Sequence, residues 1–140
     1  HPTVEQRLRD AASVSEAPEQ SAGCQSRERV RAALRIAVVH LMDSLKLDAM
    51  VYPTWSNPPR LIGDLNTPHG DNSQLFSPST GFPSITVPMG YTRELQLPAG
   101  MTFFGRAWSE GSLIALAFDF EQTTKHRRAP ATVPPLRAAR

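Results

Sequence analysis

The stretch SPSTGFPSITVPMG, residues 77–90, constrains this chain more than any other, because it places three prolines around its clearest β-forming run. Ser84-Ile85-Thr86-Val87 carries β-branched residues at three consecutive positions. Proline has a fixed φ and no amide hydrogen for a ladder, so sheets admit it at an entrance, an exit or an edge. The spacing therefore predicts a short strand over 84–87 that Pro83 feeds and Pro88 ends abruptly. Just upstream, Ser77–Thr80 fits one helical turn stopped by Gly81, which is free to take a positive φ.

The remaining patterns fall on either side of this strand. Residues 1–25 read as a linker with a short helix over Val4–Ala12, with Pro18 and Gly23 as breakers. From Ser26, a plausible N-cap, apolar residues recur at steps of three and four (Val30, Leu34, Ala37, Val38, Leu41, Leu45), which predicts an amphipathic helix with that stripe buried. LDAMVYPT, 47–54, reads as a strand buried on both faces and ending at Pro53. Residues 55–76 lack periodicity and form a long surface loop, a kind of segment that often carries function. GMTFFG, 100–105, reads as a return strand. Ser109 and Glu110 then suit the start of a last helix, whose buried stripe is Leu113, Leu116, Ala117 and Phe120. Helices alternating with short apolar strands indicate an α/β fold with the sheet inside. The domain reading is a linker over 1–25, a folded part over 26–128 and an irregular basic tail over 129–140.

Composition excludes several function classes. With 140 residues, 40% hydrophobic and 20% charged, the chain supports one modest core. A net charge of +2 is too small to imply a polyanion partner. The basic tail from Lys125 lacks the interleaved aromatics that stack bases, so no nucleic acid is expected. No apolar run reaches the roughly 20 residues that cross a bilayer, so no membrane partner is expected. Cys24 stands alone and cannot close an internal disulfide, which fits a reducing, cytoplasmic setting. His1 in place of an initiating Met suggests a processed chain or a piece of a longer one.

Candidate chemistry is sparse. His1, His40, His69 and His126 are scattered without partners at metal-ligand spacing, so no metal is expected. There is no Gly-x-Ser-x-Gly elbow, and the two lysines, Lys46 and Lys125, stand near helix ends; no catalytic residue is assigned. The best polar group is Asp71, Asn72 and Ser73 in GDNSQ. These residues either cap the turn that follows or point into a pocket at the sheet's edge, where α/β proteins bind ligands.

Three runs in order, LDAMVYPTWSNPP (47–59), GDNSQLFSPSTGFPSITVPMG (70–90) and LPAGMTFFGRAWSEGSLIALAFDFEQTTKHRRAP (97–130), resemble the C-terminal end of an amidase-signature hydrolase, over roughly residues 26–136. The resemblance implies an α/β fold with a mixed sheet and covering helices, incomplete in this chain. It also implies hydrolysis of carbon–nitrogen bonds in amides by serine acylation, with no organic cofactor. The family's nucleophilic serine, bridging serine and lysine lie in upstream segments that this sequence does not contain, so the chain alone is expected to be inactive. What carries over is a substrate-contacting role for Asp71, with Asn72 and Ser73 beside it, and a pocket-walling role for the loop after Pro53. The implied partner is a small-molecule amide substrate of the full-length protein, with a homo-oligomer or a missing N-terminal part as further possibilities. The rival reading is a non-catalytic binding or assembly subunit that needs a partner chain.

Overall fold

The computed structural model describes residues 2–68, 70, 75–92 and 97–129, the side chain of Pro2 excepted. They contain four helices and three strands: α1 (Pro2–Ser13), α2 (Ala22–Ser44), β1 (Met50–Pro53), α3 (Ser77–Thr80), β2 (Ser84–Tyr91), β3 (Pro98–Phe104) and α4 (Glu110–Thr124). The chain divides into two compact units between Val38 and Val39. No described helix is long and apolar enough to cross a membrane.

In the first unit, α1 holds itself with surface pairs one turn apart, Arg9 with Glu5 at 2.6 Å and Gln6 Nε2 donating to Asp10 at 2.7 Å. Such pairs contribute a few tenths of a kcal/mol each, about 0.2–0.5. The helix α2 starts four residues before the expected cap at Ser26. A turn at 17–21 (Gln20 N–H to Ala17 C=O, 2.9 Å) feeds it, and the Gln25 amide bonds Ser21 C=O at 3.0 Å while its side chain reaches Glu19 C=O. Gly23 costs a helix only about 1 kcal/mol relative to alanine, too little to stop one entered this way. The expected buried stripe holds only in part: Val38 is buried as expected, but Val30, Leu41 and Leu45 are exposed, and Met42, outside the expected stripe, is buried.

The second unit is organised by the sheet, whose strand order is β1-β3-β2 with both pairings antiparallel. In β2 and β3 the odd-numbered residues Ile85, Val87, Met101 and Phe103 face α4, which answers with Leu113, Ala117 and Phe120. Each such side chain removed from water contributes about 1.5–3 kcal/mol. The other face carries Phe104, fully buried, against Phe76 and Phe82 at centroid distances of 5.4 and 6.2 Å, with Tyr52 edge-on to Phe76 at 5.9 Å. Further along that face a hydroxyl ladder crosses all three strand positions: Thr102 Oγ1 lies 2.9 Å from Thr54 Oγ1 and 3.0 Å from Thr86 Oγ1.

Two strand expectations are corrected. β1 is an edge strand with alternating burial, and Val51 is 55% exposed rather than covered on both faces. β2 does not stop at Pro88 but runs on to Tyr91. The register shifts between Pro88 and Gly90, so Met89 is the extra residue of a bulge, and Gly90 takes φ 136°, a value side chains rarely allow. An edge strand and a bulge are the two settings in which a missing amide hydrogen does little harm.

The helix ends follow simple rules with one exception. The short α3 ends at Gly81 with φ 75°, as the sequence predicts. Lys46 takes φ 53° and lets Leu47 N–H reach back to Met42 C=O at 2.8 Å, closing α2. Arg106 braces this end, pairing with Asp43 Oδ1 at 2.7 Å. Ser109 stands at the N-cap of α4, yet its hydroxyl donates to Arg106 C=O at 2.8 Å instead of accepting from the helix.

Candidate substrate pocket

A cavity of about 680 Å³ opens at the end of the sheet where β1 and β2 finish and β3 begins. Its floor is backbone-rich: Pro53 from β1, Met89 from the bulge, and Pro98, Ala99 and Gly100 from β3. One wall is Trp55, Ser56, Asn57, Pro58 and Pro59 of the loop after β1, and the other is Tyr91 and Thr92 after the bulge. The bulge is what brings the last wall into place, because an extra residue re-aims the side chains that follow it.

Gly70 joins the loop to this site. It is buried against the wall, and a Cβ there would lie 2.2 Å from Asn57 N and 2.9 Å from Ser56 N. Only glycine lets the two backbone segments approach so closely. Two parts of the loop are thereby held together beside the pocket, even though residues 55–68 form no helix or strand.

The electrostatics of the described part are quiet. None of the described lining side chains carries a charge. Asp64, in the same loop, is held in a turn of its own: hydrogen bonds from the Thr67 side chain and from the Thr67 and Asn66 amides (3.0 and 2.9 Å) lower its carboxyl to about 2. A carboxylate that acidic is a poor proton acceptor, so Asp64 shapes the loop and is unsuited to act as a base. Burial pushes the Tyr52 phenol above its ordinary value of 10.0. At the far side, the Arg128 guanidinium stacks over the Tyr91 ring at 4.6 Å from its centroid, and the Arg128 amide donates to Tyr91 Oη at 3.1 Å.

Of the residues that the sequence singles out, Asp71, Asn72 and Ser73 lie outside the described residues, as do His1 and His69. His40 is exposed on α2, and His126 rests 6.3 Å from the Phe120 ring. Among the described residues no three His, Cys, Asp or Glu side chains gather as a metal site. Three described serine hydroxyls donate to the backbone: Ser44 to Leu41 C=O, Ser77 to Phe82 C=O and Ser109 to Arg106 C=O. Lys46 and Lys125 are exposed, left-handed residues at helix ends. Residues of the loop after Pro53 line the cavity together with Met89 and Tyr91, and the placement of the last two depends on a bulge that a strand ending at Pro88 would not contain.

These features can be set beside known proteins. A family model described as Amidase matches residues 1–114. The fold is similar to the native peptide amidase of Stenotrophomonas maltophilia (TM-score 0.57, 35% identity, 71% of this chain and 20% of that one). It is also similar to the peptide amidase PAM bound to the competitive inhibitor chymostatin (TM-score 0.64, 32% identity, 86% of this chain and 24% of that one). A putative amidase of Arthroderma benhamiae is 39% identical over 98 residues, which span 59% of this chain and 14% of its own length. The chain thus spans less than a quarter of the length of these relatives. With a family model covering most of its residues and a fold similar to that of solved peptide amidases, the chain belongs to the amidase family.

Proposed function

We propose that these residues build the substrate-pocket wall of an enzyme that hydrolyses carbon–nitrogen bonds in small-molecule amides, working in the cytoplasm. In this reading a serine is acylated by the substrate and then released by water, without a metal or organic cofactor. The serine nucleophile, bridging serine and lysine base are supplied from outside these 140 residues. The observation that carries the reading is the cavity at the sheet end, lined by the loop after β1 and by Gly70, which packs on the backbone of that loop. Gly70 is followed directly by Asp71, Asn72 and Ser73, and we assign these three to the polar end of the substrate.

The test separates binding from chemistry. Incubated with a primary amide, the chain releases no ammonia above buffer, yet it binds the amide saturably. Asp71→Asn weakens that binding by about tenfold, the value of one hydrogen bond to a charged group. Ammonia release that survives repurification, or binding unchanged in the Asp71 variant, overturns the assignment.

A second reading, a non-catalytic assembly subunit, is favoured by one observation: α4 carries Ile114 and Phe118, both 58% exposed and one turn apart. The same ammonia assay, repeated on any complex the chain forms, divides the two readings.

A further inference from the structure

The chemistry of the pocket wall goes further than its family. Its lining is rich in flat or stiff residues, Trp55, Tyr91, Pro58, Pro59 and Pro98, with Met89 beside them. Proline rings have no rotamers to lose, and an aromatic side chain has few, so such a wall binds without a large ordering cost. Aromatic faces prefer stacked or edge-on aromatic partners, and a thioether adds a favourable contact at a ring edge. A branched aliphatic group gains only area here, whereas a planar ring gains area and geometry. At about 680 Å³ the cavity is large enough for a ring and the group that bears it.

Arg128 sharpens the preference. Its guanidinium stacks on Tyr91, a lining residue, while Arg128 itself is not among the residues that line the cavity. A cation on a ring draws electron density toward itself. The ring is then a better platform for a second, electron-rich ring. Tyr91 Oη is also fixed by the Arg128 amide, which holds the platform at one angle.

From these observations we infer that the pocket holds a neutral aromatic ring carried by the amide substrate, with Tyr91 as its stacking platform and Arg128 as the residue that positions and polarises that platform. The inference rests on the reading of this cavity as a substrate site.

The test uses the full chain with Trp108→Phe, which leaves Trp55 as the sole indole and removes a residue 93% exposed. Trp55 emission is titrated with N-acetylphenylalaninamide, with N-acetylcyclohexylalaninamide (similar in size but without a π face), and with benzyl alcohol, a ring with no amide. The expected result is saturable binding of the phenylalanine amide about tenfold tighter than its cyclohexyl counterpart. Arg128→Gln should narrow that ratio to about threefold or less while leaving cyclohexyl binding unchanged, a pattern that general loosening does not produce. Tyr91→Leu should abolish the ratio, and if that variant fails to fold, the Arg128 result decides alone. Equal binding of the two amides overturns the inference and leaves the amide reading standing. Benzyl alcohol binding as tightly as the phenylalanine amide supports the ring site and counts against the amide reading. No saturable response to any of the three overturns the inference.

Discussion

At the scale of single residues, Gly70 and Asp64 do opposite jobs in one loop. Gly70 permits contact, and its replacement has a direct cost. In Gly70→Ala the new methyl group meets the Asn57 amide nitrogen at 2.2 Å, so backbone must move. We expect a loss of about 1–3 kcal/mol in denaturant unfolding, as for other overpacked sites, together with weaker ligand binding at Trp55. Unchanged stability would mean that Gly70 does not pack on the Ser56–Asn57 backbone as described. Asp64 instead supplies hydrogen-bond acceptors, and its carboxyl is lowered from 3.8 to about 2 by bonds from Thr67 and Asn66. A depressed carboxyl favours the folded turn above its unfolded value, so that contribution is whole above about pH 4 and is lost as pH falls through about 2. The amide resonances of Asn66 and Thr67 should therefore titrate near pH 2, and Asp64→Asn should flatten that transition. A midpoint near 4 would show that the turn does not hold the carboxylate.

At the scale of elements, the errors of the sequence reading share a cause. Periodicity located α2 and α4, and turn chemistry located α3 and its Gly81 stop, because those signals are local. The buried face of α2 was only partly located, because Val30, Ala37 and Leu45 match the helical period as well as Met42 does, and packing alone chooses among them. Ser26 was misassigned for the reverse reason: a serine suits a cap, but the turn at 17–21 offered an earlier start. Pro88 was read as a terminus because a bulge is a property of the pairing between β2 and β3, absent from either strand alone. The pocket residues Met89 and Tyr91 were lost with it. The early start of α2 carries its own test. Gly23 is helical, and a Cβ there would meet only Ser21 Oγ at an ordinary 3.8 Å. Gly23→Ala should raise stability by about 0.4–1 kcal/mol, read as a higher unfolding midpoint, because alanine has less unfolded-state entropy to lose. A helix that began at Ser26 would leave position 23 outside, and the substitution would then do nothing.

At the scale of the whole molecule, the described surface is more apolar than a solitary domain requires. In the second unit, Leu45, Val51, Ile114 and Phe118 are each more than half exposed, and Trp108 is 93% exposed with φ 65°, a conformation uncommon for an aromatic residue. Both outer strands, β1 and β2, also keep one edge unpaired among the described residues. Pro53 and Pro88 interrupt those edges, which hinders edge-to-edge strand pairing and leaves the α4 face as the better sticky surface. Ile114 and Phe118 lie one turn apart there, and burying both in trans is worth about 3–6 kcal/mol before the costs of association are subtracted. Those costs, about 4 kcal/mol or more, absorb most of this gain, so the complex it supports is weak and forms only at high protein concentration. Sedimentation equilibrium should accordingly show a mass that rises with concentration, while the ligand titrations, run at low micromolar protein, see the monomer. Ile114→Lys combined with Phe118→Lys should suppress the rise without lowering the unfolding midpoint, since neither side chain belongs to the cluster built on Leu113 and Ala117. A concentration dependence that survives both changes would move the contact to the strand edges, and substitution at Val51 would then be the next site to probe.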